Sequence, residues 1–352
     1  MRAELIGPGD PRWAAMLGEA AHDVHHLPGY VALAAEHEGG EPAALHADGA
    51  GARLLVPLVV HRLPDALEAP AGWRDAKSPY GYASPLIAGD PAGRDACARA
   101  AAAAAREAGL VSAALRLHPL LPPAPGELFP EAAARVRGEA VVVPLDRPLD
   151  AVVAERKPQL RADVRRLRRD GWTSEMGGRE ALADFVPLYA ATMRRLEAAE
   201  IFHFPARYFD ALAGVLGDRL HVALARSPEG HVGAAALFTT CGGIVQYLLA
   251  GTSDHHAAAA TSKLLLDHAI VWAHARGERV VNLGGGRGGA TDSLFAFKAR
   301  FSPHRRPLVD LAVVLDADRY AALERRWCAR ATPPAASATV GFPSYRRPLA
   351  AR

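Results

Sequence analysis

The stretch VVNLGGGRGGATDSLFAFKARF, Val280 to Phe301, decides how this chain is read. A short β-branched run leads into five glycines in six positions, and a lone lysine, Lys298, then sits among Phe295, Phe297 and Phe301. Two familiar uses of glycine-rich turns fail here. Gly284, Gly286 and Gly289 satisfy G-x-G-x-x-G after an expected strand, with Asp310 near the acidic position of a dinucleotide site. That motif must flow into a sustained helix whose N-terminus holds the pyrophosphate. Here the helix that follows is short, about Asp292 to Phe301, because Pro303 stops it. A Walker loop is excluded, since Ala290 stands where its lysine is required.

Working outward, 352 residues suggest two domains, and a 50% hydrophobic composition supplies full cores. The net charge of +3 permits a polyanionic partner without demanding one. Cys97, Cys241 and Cys328 are odd in number and lack C-x-x-C spacing, which fits a reducing compartment and argues against a disulfide scaffold or zinc ribbon. The N-terminal MRAELIGPGDPRW lacks a signal pattern, and no apolar run approaches the ~20 residues of a membrane helix. The expectation is a cytoplasmic protein with no transmembrane segment.

In the second half, strands are expected at 220–225, 232–239 and 244–250, separated by the turns SPEG and CGG. A helix follows over 261–276, with Leu265, Ala269 and Trp272 on one face and Gly277 as its stop. Then come a strand at 279–283, the glycine stretch, the short helix and a strand at 307–315. The first half carries a blurred copy: strands at 41–46 and 52–61, the loop SPYGYASP (Ser78–Pro85), a helix at 92–107 and a strand at 111–117. AAREAGLVSAALRL and WAHARGERVVNLGG share one helix–glycine–strand joint. The expected division is 1–150 and 151–330, with a seam near 145–152 and a mobile or draped tail at 331–352.

Between the copies, KPQLRADVRRLRRDG (Lys157–Gly171) puts Leu160, Val164 and Leu167 on a helical stripe. Lys157, Arg161, Arg165, Arg166, Arg168 and Arg169 cover much of the rest. That face is either simply solvated or a dock for phosphates, with Arg161, Arg165 and Arg168 as the candidates to meet them.

The duplicated strand–helix order resembles a tandem GNAT acyltransferase fold, α/β, with two domains that are each a mixed, mainly antiparallel sheet flanked by helices. SPYGYASP, QYLLAGTS (Gln246–Ser253), NLGGG (Asn282–Gly286) and DSLFAFKARFSP (Asp292–Pro303) resemble, more closely, the Fem family of aminoacyl-tRNA-dependent peptidyl transferases. The resemblance implies a transferase that moves an aminoacyl group from aminoacyl-tRNA to an amine, forming an amide and needing no cofactor. The acceptor would be a peptidoglycan precursor or a small amine of a specialised pathway, such as antibiotic biosynthesis. One departure bears on the donor. CoA-using GNAT proteins carry a glycine-containing pyrophosphate loop, whereas the corresponding SDHHAAAATSK (Ser253–Lys263) has no glycine. An acyl-CoA-dependent N-acyltransferase, or a non-catalytic RNA- or precursor-binding relative, are the alternatives.

An aminoacyl ester is already activated, so the main catalytic demand is charge stabilisation at the carbonyl oxygen. A lysine held among apolar side chains, Lys298 beside Phe297, would meet that demand, and by resemblance it also neutralises the tRNA terminus near the leaving oxygen; a lysine snorkelling past aromatics is the alternative. Gly284, Gly285 and Gly286 then either let the aminoacyl-adenosine approach the backbone or are merely flexible. By resemblance Tyr247 lines the acceptor channel and Arg195 meets acceptor phosphates, with a core tyrosine and a surface arginine as alternatives. Tyr80 and Tyr82 either wall the acceptor groove or pack a loop. Asp292 suits a helix cap better than catalysis. His255 and His256, with Asp254 and Asp267 near, lack metal spacing, so no metal is expected, and no general base stands out.

Overall fold

The computed structural model describes residues 1–123, 128–129, 132–256, 260–330 and 341–347. The chain begins with β1 (Arg2–Ile6), α1 (Pro11–Glu19), α2 (Pro28–Glu38), β2 (Glu41–Gly49), β3 (Ala52–Arg62), β4 (Arg74–Lys77) and β5 (Leu86–Gly89). Next come α3 (Arg94–Glu107), β6 (Leu110–Arg116), β7 (Ala133–Pro144), α4 (Leu149–Ala154), α5 (Pro158–Arg169), β8 (Thr173–Gly177), α6 (Leu182–Arg195) and α7 (Ala206–Leu216). The strands β9 (Leu220–Arg226), β10 (Val232–Cys241) and β11 (Ile244–Thr252) precede α8 (Ser262–Ala275), β12 (Val280–Gly284), α9 (Ser293–Lys298), β13 (Arg305–Val314) and α10 (Ala317–Arg330). No helix among the described residues is long and apolar enough to cross a membrane.

Two compact units result, Met1–Val136 with Val309–Arg352, and Arg137–Leu308. The division falls elsewhere than the 1–150 and 151–330 expected from sequence, because two strands change allegiance. Val141, Val143 and Leu145, on and just after β7, pack into the core of the second unit, and β7 pairs with β12. Val309, Leu311 and Val313 of β13 join the core of the first unit, and β13 pairs with β6.

In the first unit the strand order is β1-β2-β3-β4-β6-β13, with β5 also on β3. The pairs are antiparallel except β4–β6. Period-two alternation along β3 serves both faces. Leu54, Val56 and Leu58 pack with Ala98 and Ala101 of α3, while Leu55 packs with Trp13 of α1 and Val31 of α2. Of residues 341–347 in the tail, Ser344 and Tyr345 are buried against the first unit and the others are exposed or half-exposed. Tyr345 is buried with its hydroxyl 2.7 Å from Ser112 Oγ, and Arg346 forks onto Asp75 at 2.6 and 2.7 Å. The rest of that tail, 331–340 and 348–352, lies outside the described residues.

In the second unit the order is β7-β12-β11-β10-β9-β8, antiparallel except β11–β12. Leu160, Val164 and Leu167 of α5 and Leu265, Leu266, Ala269 and Ile270 of α8 fill one face against Phe238, Val245 and Val281. On β11, Gly251 lets α6 approach: a β-carbon there would lie 2.6 Å from the Leu188 carbonyl carbon and the Tyr189 nitrogen. Both units are thus mixed, mainly antiparallel sheets flanked by helices, and the shared joint is real. α3 turns through Gly109 (φ +84°) into β6 and α8 through Gly277 (φ +74°) into β12, each strand then pairing parallel.

Candidate active site

β11 and β12 stay paired only from Ile244↔Val280 to Gln246↔Asn282. The register of β11 on β10 shifts just beyond: Phe238 faces Tyr247 but Leu237 faces Leu249, so Leu248 is extra. Such a bulge bends its strand. Tyr247, the first residue past the last parallel pair, therefore stands where the two strands stop pairing.

At the end of β12 the glycines make a turn that the chain's own backbone demands. Gly284 takes φ +71° and its N–H donates to Asn282 Oδ1 at 2.9 Å. A β-carbon on Gly285 would lie 2.8 Å from both the Glu139 carbonyl oxygen and Leu308 Cδ1. On Gly286 it would run into the Ala290 carbonyl and the Asp292 carboxylate. The absent side chains are accounted for by intramolecular packing, before any substrate is considered. Asp292 caps α9, accepting from Phe295 N at 2.9 Å and also from Arg287 Nε at 3.1 Å.

This turn and cap place Lys298 inside the unit. The residue is 7% exposed, and its Nζ donates to Gly285 O at 2.7 Å and lies 5.4 Å from the Tyr247 ring centroid. An ammonium has three protons. Only the Gly285 carbonyl accepts one among the described residues. Burial pulls the amine down to about 8, partly opposed by the Asp292 carboxylate. Burial also pushes the Tyr247 phenol up, so its ring faces the cation as a neutral π-system. The snorkelling alternative for Lys298 does not describe this geometry, since the charged head is the buried part.

The other predicted residues have the following surroundings. Phe297 is half-buried and packs edge-on against Phe301 at 5.6 Å. Arg195 is tied to the far end of β11, with Nη2 on Thr252 Oγ1 at 2.8 Å and an ion pair to Asp254. Thr252 lies roughly 16 Å along an extended strand from Tyr247. Tyr80 and Tyr82 lie in the first unit. The Tyr80 carbonyl accepts from Tyr30 at 2.9 Å, and Tyr82 sits edge-on to His25 and His118. On α5, Arg161 is half-buried and Arg165 exposed, whereas Arg168 is paired with Asp267 at 2.8 Å, whose other oxygen takes the buried Arg156. α5 starts beside α9, since Lys157 N donates to Arg300 O at 2.9 Å. Of the loop Ser253–Lys263, residues 257–259 lie outside the described residues.

Sequence reasoning missed a buried cluster in the first unit. Asp23, His25 and His118 bring their donor atoms together, with Asp23 Oδ2 3.2 Å from His25 Nδ1 and 3.1 Å from His118 Nε2. Leu120 N donates to His118 Nδ1 at 3.1 Å, which leaves the ring proton on Nε2, aimed at Asp23. His118 is therefore a hydrogen-bond donor rather than a metal ligand. Asp23 and His118 are 95 residues apart in sequence, and no local pattern joins them.

Residues 154–298 match the family described as acetyltransferase (GNAT) domain, and Lys298 is the last residue matched. No curated protein matches the sequence. Among solved structures the chain is similar to FemX at 14% identity, over 91% of this chain and 99% of that one, with a TM-score of 0.66. The fold is a tandem GNAT fold. The chain is likewise similar to L-PGS from Bacillus licheniformis, at 14% identity, 91% and 98% coverage and a TM-score of 0.57. A third similar structure is the C-terminal domain of a putative lysylphosphatidylglycerol synthetase from Agrobacterium fabrum, at 21% identity, 86% and 90% coverage and a TM-score of 0.55. At these identities the likeness is one of fold.

Proposed function

We propose that this chain is a transferase that moves an aminoacyl group from aminoacyl-tRNA to an amine acceptor. The observation that carries the reading is Lys298, a buried ammonium held by the Gly285 carbonyl and set over Tyr247 where β11 leaves β12. An acyl carbonyl brought to Lys298 would meet a donor already desolvated and oriented. Such a donor stabilises the oxyanion formed when the amine attacks the ester. The carbonyl–nitrogen bond forms, the carbonyl–oxygen bond to the ribose breaks, and the ribose oxygen leaves with the proton the amine gives up. A peptidoglycan precursor or a small biosynthetic amine would serve as acceptor.

The donor choice rests on Ser253–Lys263, which offers no glycine for a close pyrophosphate, and on the basic α5 starting beside α9. The test offers charged tRNA and acyl-CoA pools separately with candidate amines. Ribonuclease should abolish product from the tRNA arm. Undiminished turnover with acyl-CoA alone would replace this reading by an acyl-CoA-dependent N-acyltransferase.

A further inference from the structure

His255 and His256, which the proposed chemistry leaves unused, belong to an aromatic surface at the end of the basic helix. Trp172 lies three residues past the end of α5, its backbone N–H donating to Leu167 O at 3.0 Å. Its indole packs against the core and lies on β10, where a β-carbon at Gly233 would sit 2.7 Å from Trp172 Cζ3. The ring of His256 stands edge-on to that indole at 5.2 Å and 84°. His255 lies 4.5 Å from His256, and His231 lies 6.4 Å away at 26°. His231 and His255 are exposed and His256 is half-exposed, beside an indole that packs against the core.

Two readings of these rings can be separated by geometry. Among the described residues, their nitrogens do not form a converging group of the kind a metal needs. Flat π-faces beside a cationic track are instead what unpaired bases require: stacking on the rings, with phosphates on the arginines. The exposed Arg165, Arg166 and Arg169 lie on α5, whose last residue is three positions before Trp172. The acidic groups near the histidines are Glu229 and Asp254, the latter engaged by Arg195.

We propose that Trp172, His231, His255 and His256 form a stacking platform for an unpaired base of RNA whose phosphates run along α5. The inference rests on the tRNA reading and names a second binding region for that partner. Stacking is a π-interaction, so it should contribute affinity without contributing to the salt slope.

The experiment titrates the full chain with a single-stranded RNA oligonucleotide, following tryptophan emission and binding across a salt series. His255→Ala/His256→Ala should weaken binding about tenfold, the scale of removing one base stack, with an unchanged salt slope and thermal midpoint. Trp172→Phe should remove the emission change on binding. Unaltered affinity in the double variant, or a loss that appears only as a flatter slope, overturns the platform. RNA binding that needs these histidines while turnover uses acyl-CoA would keep the platform and sink the donor reading. tRNA-dependent turnover with full RNA affinity in the double variant would do the reverse, and a wild-type chain that binds no RNA sinks both.

Discussion

Lys298 Nζ lies 5.4 Å from the centroid of the Tyr247 ring, at the point where β11 and β12 cease to pair. The ring's negative face offsets part of the cost of burying the ammonium. The remaining cost shows as the lowering of the amine to about 8. A buried cation with one hydrogen-bond acceptor among the described residues is costly to the fold, and groups perturbed in this way cluster at functional sites.

Lys298→Met keeps most of the stem and removes the charge. The variant should fold at least as stably as the parent, yet lose turnover by roughly two to three orders of magnitude, as when one oxyanion donor is removed. Lys298→Arg should recover only part, because a planar guanidinium does not fit the space of a compact ammonium. Single-turnover kinetics with pre-charged tRNA separates the chemical step from binding. A near-normal chemical rate in the methionine variant would reduce Lys298 to a packing residue.

The glycine turn makes a separate prediction. Gly286→Ala forces a β-carbon into the Ala290 carbonyl and the Asp292 carboxylate, which also caps α9. Overpacking of this kind costs about 1–3 kcal/mol, read as a lower urea midpoint with activity falling through the displaced Lys298. If the glycines serve substrate approach instead, stability should hold and KM alone should rise.

On α5, the ion pair of Arg168 with Asp267 divides the basic face. Arg161→Ala and Arg165→Ala should each flatten the salt dependence of RNA binding, by about 0.7 in the log–log slope for every phosphate left without its arginine. Arg168→Ala should change the slope less and stability more, since it strips a partner from the buried Asp267. Equal slopes in all three variants and the parent would return the helix to an ordinary solvated face.

The legible part of the molecule is the part with local punctuation. β9, β10, β11, α8 and β12 are separated by SPEG, CGG and Gly277, and period-two or helical spacing fills the intervals. Lys298 stands out because it is the only lysine after Lys263 and is flanked by phenylalanines. Strand allegiance is not legible: Val141 and Val143 alternate as Val309, Leu311 and Val313 do, and alternation does not say which sheet a strand joins. The glycines look like room for a ligand because nothing local reveals that the Glu139 carbonyl and the Asp292 carboxylate fill that room.

The pH response follows from the same lysine. Its ordinary value of 10.5 applies to the unfolded chain, and about 8 applies to the folded one. Between those values the unfolded state binds more protons, so stability rises with pH across that window, by about 3 kcal/mol for this group acting alone. Below pH 8 both states hold the proton and the full burial cost is present. The difference in urea stability between the parent and Lys298→Met should therefore shrink or change sign from pH 8 to 10.5, with tyrosines and cysteines cancelling in the comparison. Turnover should move the other way. An acting ammonium loses its proton as pH passes about 8, so the chemical rate should fall on that alkaline limb even as more of the acceptor amine becomes nucleophilic. Lys298→Arg, charged throughout, should lack the limb. A rate that instead climbs through pH 8 would identify the neutral amine as the working form and make Lys298 a proton acceptor rather than an oxyanion donor.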